Sequence, residues 1–377
     1  MDPTTRRNLG ALLGVALVVA VVVGVLVFAN GGSGGTSRAT ATPTSTSAGS
    51  ATATGGASES ASPSSSAPAS AALTKLTVGL GYIPSVQFAQ FYRAQQAGYY
   101  RDAGLEVTFQ NQIDPQLITL VGQGNVDIGL SDGTSLIPAV SQGIPVRYVA
   151  TIYAKFPNIV FAKASSGISG PADLKGKRIG TPGQYGSSWI MLQALLSKAN
   201  LTTSDVTIQE YPDFTQATAV ARDQVDAATG FLNNEPIQLA EQGIETTLLT
   251  VDDIVPLPGN GLIVGQQTLE AKKDALKAFV AATLRAQDEI AKDPSVGVDA
   301  SIAEVPDLGK DRDLQAKILD ATIAAWSSDY TKAHGTGAID PDAWTRSIEF
   351  MSGLPGGLVP NPVTVEQIIS TELLPSP

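Results

Sequence analysis

From Leu73 onward, short Val- and Ile-rich runs alternate with amphipathic stretches of about ten residues or more, the signature of βαβ units on a largely parallel sheet. The pattern predicts strands at Leu76–Leu80, Glu106–Gln110, Val126–Leu130, Val146–Ile152 and Ile159–Lys163, with helices beginning near Gln87, Pro115 and Thr134. A later strand is expected at Gly261–Val264. Mostly helical sequence follows at Thr268–Lys292, Asp311–Ser328 and Asp342–Ser352, expected to pack back on the first part of the fold.

The pattern occurs twice. Lys75-Leu76-Thr77-Val78-Gly79 has a counterpart in Lys177-Arg178-Ile179-Gly180, and Leu105-Glu106-Val107 in Val206-Thr207-Ile208. Val126-Asp127 matches Val225-Asp226, and Gln142-Gly143-Ile144 matches Gln242-Gly243-Ile244. Matches in one order at an offset of roughly a hundred residues indicate two copies of one α/β unit, and therefore two lobes. Open α/β sheets bind ligands beyond the carboxyl ends of their strands. Two facing lobes would place those ends on one cleft.

The start of the 377-residue chain departs from this pattern. Leu9 to Ala29 is an apolar or Gly run of roughly 20 residues behind Arg6 and Arg7, about the length that crosses a bilayer. Residues 1–30 read either as an uncleaved anchor or as a signal segment cut after Ala29, and Thr5-Arg6-Arg7-Asn8-Leu9 loosely matches a twin-arginine export signal. Either reading exports the rest of the chain. Residues 31–72 are a Gly, Ser, Thr, Ala and Pro tract interrupted only by Arg38 and Glu59, a composition too poor in apolar surface to fold, hence a flexible spacer. The chain has no cysteine, which excludes disulfides, thiolate metal sites and lipidation at an amino-terminal Cys. Any tether must then be the apolar helix.

A net charge of -11 argues against nucleic acid or anionic lipid as the main partner. A serine nucleophile needs a neighbouring base, yet the only histidine is His334 in the helical tail. No P-loop lysine motif is present, so ATP hydrolysis would belong to a partner. The reading calls for no metal or cofactor and for a monomer.

The loops expected on the cleft concentrate aromatic rings, amides and hydroxyls, although aromatics make up only 6% of the chain. The candidate ligand-binding residues are Tyr82, Gln87, Asp132, Tyr153, Phe156, Tyr185, Ser187, Ser188, Trp189, Phe231, Asn233 and Glu235. Rings of this kind would stack on a flat, partly apolar ligand whose polar edge the amides and carboxyls satisfy; some of the rings could equally cover the lobe core. Gly183 to Ser188 precede a helix expected from Trp189, so Ser187 and Ser188 either help to hold a ligand oxygen or cap that helix. Asp132 and Glu235 either accept hydrogen bonds from ring N–H or amino groups or serve as turn and helix-start residues. Lys155 is the only cation in these loops, which disfavours a multiply charged anion.

Gly98-Tyr99-Tyr100-Arg101-Asp102-Ala103-Gly104-Leu105-Glu106-Val107 resembles the GYY-x-x-x-GL-x-V signature of the thiamine-pyrimidine-precursor, nitrate and sulfonate solute-binding proteins. Ala172-Asp173-Leu174-Lys175-Gly176-Lys177-Arg178-Ile179-Gly180 is similar to that family's entry into its second lobe. The resemblance covers roughly Leu73 to Gly265. Gly230-Phe231-Leu232-Asn233-Asn234-Glu235-Pro236 and Ser131-Asp132-Gly133-Thr134 look most like the thiamine-pyrimidine and riboflavin branch. The resemblance implies an α/β, type II periplasmic-binding-protein fold with two Rossmann-like lobes, hinge strands near Ile159–Lys163 and Leu262–Val264, and a helical extension. Lobe 1 is expected at residues 73–167 and 260–377, and lobe 2 at 168–259.

By the same resemblance, Tyr82, Trp189 and Asn233 contact the ligand, and the function is that of the extracytoplasmic binding component of an ABC importer for riboflavin or a thiamine-type aminopyrimidine, with permease and ATPase partners. Alternatives are a ligand-sensing module for a membrane partner and a binder of sulfonate- or nitrate-type ligands. The fungal pyrimidine synthase shares the fold but needs His and Cys at its cleft, which argues against an enzyme here.

Overall fold

The computed structural model describes residues 72–377 except Asp114, Pro115, Asp252, Asp253, Val255, Pro256, Pro355, Ser376 and Pro377. The chain divides into two units, Met1–Ala67 and Pro68–Pro377, and the described residues belong to the second. The expected membrane segment, and all but the last residue of the expected spacer, lie outside them.

The chain first lays down β1 (Thr74–Leu80), β2 (Leu105–Asn111), β3 (Ile128–Asp132) and β4 (Val146–Thr151). It crosses to build β5 (Asn158–Lys163), β6 (Arg178–Thr181), β7 (Thr207–Glu210), β8 (Ala227–Phe231) and β9 (Thr246–Leu249), then returns with β10 (Asn260–Gly265). Two five-stranded sheets result, ordered β2-β1-β3-β10-β4 and β7-β6-β8-β5-β9. In each, one strand lies antiparallel among parallel neighbours: β10 between β3 and β4, and β5 between β8 and β9.

The sequence repeat has a physical counterpart in this arrangement. Asp127, just before β3, accepts a hydrogen bond from the Thr77 backbone N–H of β1 at 2.9 Å, and Asp226, just before β8, accepts one from the Arg178 N–H of β6 at 2.8 Å. Each carboxylate ties the start of one strand to its parallel neighbour. Gly143 and Gly243, at φ +87° and +73°, end the helices that lead into β4 and β9, where a left-handed residue turns the chain without a Cβ penalty.

The strand burial follows from two-sided covering: β3 has four consecutive buried residues and β5 five. The helical tail packs against helices and a strand of the first lobe. Phe279, on the helix Lys273–Lys292, stacks on Tyr100 at 4.9 Å and on Phe91 at 6.3 Å between ring centroids. Trp344, on the helix Pro341–Ser352, meets Tyr148 of β4 edge-on at 4.8 Å.

Three expectations need correction. β5 pairs with β8 and β9, so it belongs to the second sheet and not to a first lobe running to residue 167. The helix expected at Thr268–Lys292 is two, Gln266–Ala271 and Lys273–Lys292, meeting at Lys272 with φ -125°. An unforeseen helix, Pro294–Glu304, follows; Pro294 pre-sets its first turn, and the Asp293 side chain accepts from the Ser295 N–H.

Candidate functional site

The amino-terminal end of β10 and the carboxyl ends of β1, β2, β3, β6, β7 and β8 converge on one cleft between the sheets. Its non-atom space is about 860 Å³ with the solvent-open mouth included. The first sheet's side contributes Gly81, Tyr82, Gln87, Phe88, Ile113, Leu130, Asp132, Tyr153 and Asn260; the second contributes Pro182, Tyr185, Gly186, Ser187, Ser188, Phe214, Gln216, Gly230, Phe231, Asn234 and Glu235.

The two sides touch across this space. Ser187 Oγ donates to Asp132 Oδ2 at 2.6 Å, and Asn233 Nδ2 donates to Gln87 Oε1 at 3.1 Å and Thr322 Oγ1 at 2.7 Å. Tyr82 meets Phe214 edge-on at 4.8 Å, and Lys317 pairs with Glu241 at 2.6 Å. These contacts join the two lobes directly.

Of the two cleft carboxyls, Glu235 is buried and Asp132 half-buried. Asp132 ends β3 and accepts from Ser187 and from Asn260 Nδ2, the latter at 2.6 Å; burial nevertheless pushes its pKa up from the ordinary aspartate value. Glu235 begins the helix Glu235–Ala240, and its Oε2 accepts the Phe231 N–H at 2.7 Å. Its desolvation outweighs that hydrogen bond and raises its pKa to about 7. The approach is close enough to require Gly230: a Cβ there would lie 2.7 Å from Glu235 Oε2 and 2.7 Å from the Phe161 ring. Burial likewise raises the Tyr82 hydroxyl, with Glu235 adding to the effect, so the phenol stays neutral. Among the described residues no Lys, Arg or His lines the cleft.

Nine of the twelve residues singled out from sequence border this cleft: Tyr82, Gln87, Asp132, Tyr153, Tyr185, Ser187, Ser188, Phe231 and Glu235. Three do not. Phe156 is buried in the hydrophobic cluster that also holds Trp344, and Trp189 packs against that same cluster. Asn233 is 1% exposed and ties Gln87 to Thr322.

Neither serine caps the helix Gly186–Lys198 through its side chain. Asn158 Nδ2 donates to Ser187 Oγ at 2.9 Å and Ser188 Oγ at 3.0 Å, and the Ser187 hydroxyl in turn donates its hydrogen bond to Asp132. Sequence reading missed Phe88, Phe214, Gln216 and Asn260 as individual residues. Phe214 follows β7, where an aromatic ring just past a strand's carboxyl end is the available signal, whereas Asn260 carries no local signal until β10 is known to run antiparallel.

The class follows from this architecture: two lobes of identical strand order, joined by crossing strands around a ligand-sized cleft, are the fold of periplasmic binding proteins. The aliphatic sulphonate-binding protein SsuA from Escherichia coli shares it with a TM-score of 0.61 at 17% identity, over 79% of this chain and 92% of that one. The alkanesulfonate-binding SsuA from Xanthomonas axonopodis pv. citri, solved with MOPS, shares it with a TM-score of 0.59 at 19% identity, over 80% and 99%.

Within that class the chain belongs to the NMT1/THI5 like family, whose model matches residues 85–296. The riboflavin-binding protein RibY of Chloroflexus aurantiacus is 36% identical over 309 residues, 80% of this chain and 87% of that protein. A 4-amino-5-hydroxymethyl-2-methylpyrimidine phosphate synthase of Legionella pneumophila is 29% identical over 219 residues, 56% and 68% of the two chains.

Proposed function

We propose that this protein is the extracytoplasmic substrate-binding component of an ABC importer and that its cargo is riboflavin or a closely similar flavin. The observation that carries the reading is the composition of the cleft. Rings of Tyr82, Phe88, Phe214 and Phe231 surround a space that also holds two carboxyls and several carboxamides but, among the described residues, no cation. Aromatic walls favour a flat ring, and carboxyls and amides accept from ring N–H and polyol hydroxyl groups. The likeness to a riboflavin-binding protein supports the same cargo.

A sulfonate or nitrate would enter such a cleft beside Asp132 and Glu235 with no counter-charge, which is unfavourable in a dry site. A thiamine-type aminopyrimidine is the second reading, favoured because either carboxyl would accept from its amino group. Binding without chemistry is proposed because His334, the sole histidine, lies outside the cleft, its ring stacked at 4.1 Å on Tyr330. Export by residues 1–30, with that segment as tether, completes the proposal; ligand-driven closure would present both lobes to the permease.

Titration of the purified protein with riboflavin, followed by flavin fluorescence and thermal unfolding, tests the cargo. Saturable quenching with a rise in Tm is expected. A rise with alkanesulfonates alone would overturn the flavin reading, and no response to flavins, aminopyrimidines or sulfonates would sink the uptake role.

A further inference from the structure

We infer that Gln216 reads the hydrogen-bonding edge of the ligand's ring and so determines which flat rings the cleft accepts; the inference rests on the flavin reading above. Gln216 borders the cleft while being only 1% exposed, and its Oε1 has no hydrogen-bond partner among the described residues. Folded proteins rarely leave a buried carboxamide oxygen unpaired, and one beside a binding space is satisfied when the cargo arrives.

The neighbouring carboxamides are already engaged. Gln87 bonds Ser85 and Asn233, Asn234 bonds Glu235 and Gln238, and the Asn260 NH₂ bonds Asp132. Asn260 Oδ1 is unpaired as well, but Asp132 anchors that carboxamide through its NH₂; among the described residues no such bond anchors Gln216.

Its position follows from the turn that precedes it. Phe214 adopts φ +58°, a left-handed conformation that a bulky residue takes only when its surroundings enforce it. That turn sets the Phe214 ring against Tyr82, and the helix Gln216–Ala221 begins two residues later, so ring and carboxamide border the same cleft from one short segment. A carboxamide offers one acceptor and one donor side by side in a plane. That array complements a lactam or imide edge, a C=O beside an N–H, as in the pyrimidine half of a flavin. Hydroxyl groups on a flexible chain need no such paired array and can be taken by Asp132, Ser187 and Asn260.

The test compares riboflavin with N3-methylriboflavin, which lacks the imide N–H, on the full chain and on Gln216→Met. A site built to pair with a ring N–H rejects the analogue lacking it, so the unaltered protein should favour riboflavin by about tenfold or more, and Gln216→Met should bring the ratio towards one. Because the ratio is taken within each variant, partial loss of active protein does not change it, and Gln216→Ala is read in the same way should the methionine variant not fold. An unchanged ratio in the variant overturns the role of Gln216 alone. A full-length protein that binds neither flavin overturns the cargo and this role together.

Discussion

Glu235 shows how burial sets the behaviour of a single side chain. Its pKa of about 7 in the fold exceeds the ordinary glutamate value of 4.5, so the folded state holds this proton more tightly than the unfolded chain does. The stabilisation is therefore complete below about pH 4.5 and is lost as pH rises through 7, a change of about 3 kcal/mol for a shift of this size. Thermal unfolding of Glu235→Gln across pH 5 to 8 should show a flatter pH dependence, the variant gaining on the parent at the alkaline end. An identical slope in both proteins would show that Glu235 is already ionised at pH 5. Among the rings, Tyr82→Ala and Phe214→Ala should each weaken flavin binding by roughly 1–3 kcal/mol, the scale of a lost aromatic contact. Isothermal titration of each variant reads that change; unaltered affinity in both would move the stacking surface to Phe88 and Phe231.

At the scale of elements, legibility in the sequence depended on how local the cause was. β1 and β2 could be read because their apolar runs and bounding turns are local, and the repeat could be read because Asp127 and Asp226 do the same work in both sheets. The ownership of β5 could not, since it is decided by pairing with β8 and β9, some 70 to 90 residues downstream in the chain. The same limit explains the errors at the site. Trp189 and Ser188 are neighbours on one helix, but successive helical side chains point about 100° apart, and only the serine borders the cleft. The unpaired oxygen of Gln216 is a property of what surrounds it and leaves no trace in composition. Two substitutions probe the elements themselves. Phe279→Ala should cost about 3–5 kcal/mol by emptying the stacked contact between the tail helix and the helix Tyr99–Asp102 of the first lobe, measured by denaturant unfolding. Ser187→Ala removes the hydroxyl that reaches from the helix Gly186–Lys198 to Asp132, a bond of about 1.5–3 kcal/mol when its acceptor is charged. Small-angle scattering of the unliganded variant should then show a larger radius of gyration than the parent; an equal radius would mean that the other interlobe contacts suffice to hold the lobes together.

For the whole molecule, the contact between the lobes is distributed over bonds of different kinds: a carboxyl–hydroxyl bond, a carboxamide bridge through Asn233, an edge-on ring pair and the exposed Lys317–Glu241 ion pair. The exposed ion pair is screened by salt and contributes little, so the buried bonds and rings carry that contact. The order of strands along the chain has a further consequence. Every strand of the second sheet comes from one uninterrupted stretch, Asn158 to Leu249, whereas the first sheet has a gap between β3 and β4 that only Asn260–Gly265 fills. During synthesis from the amino terminus, β5 to β9 can therefore align while the half made earlier still has two strand edges exposed and lacks the covering helix that carries Phe279. The part of the chain made first is the part completed last, and until then it is the half most open to capture by chaperones or proteases.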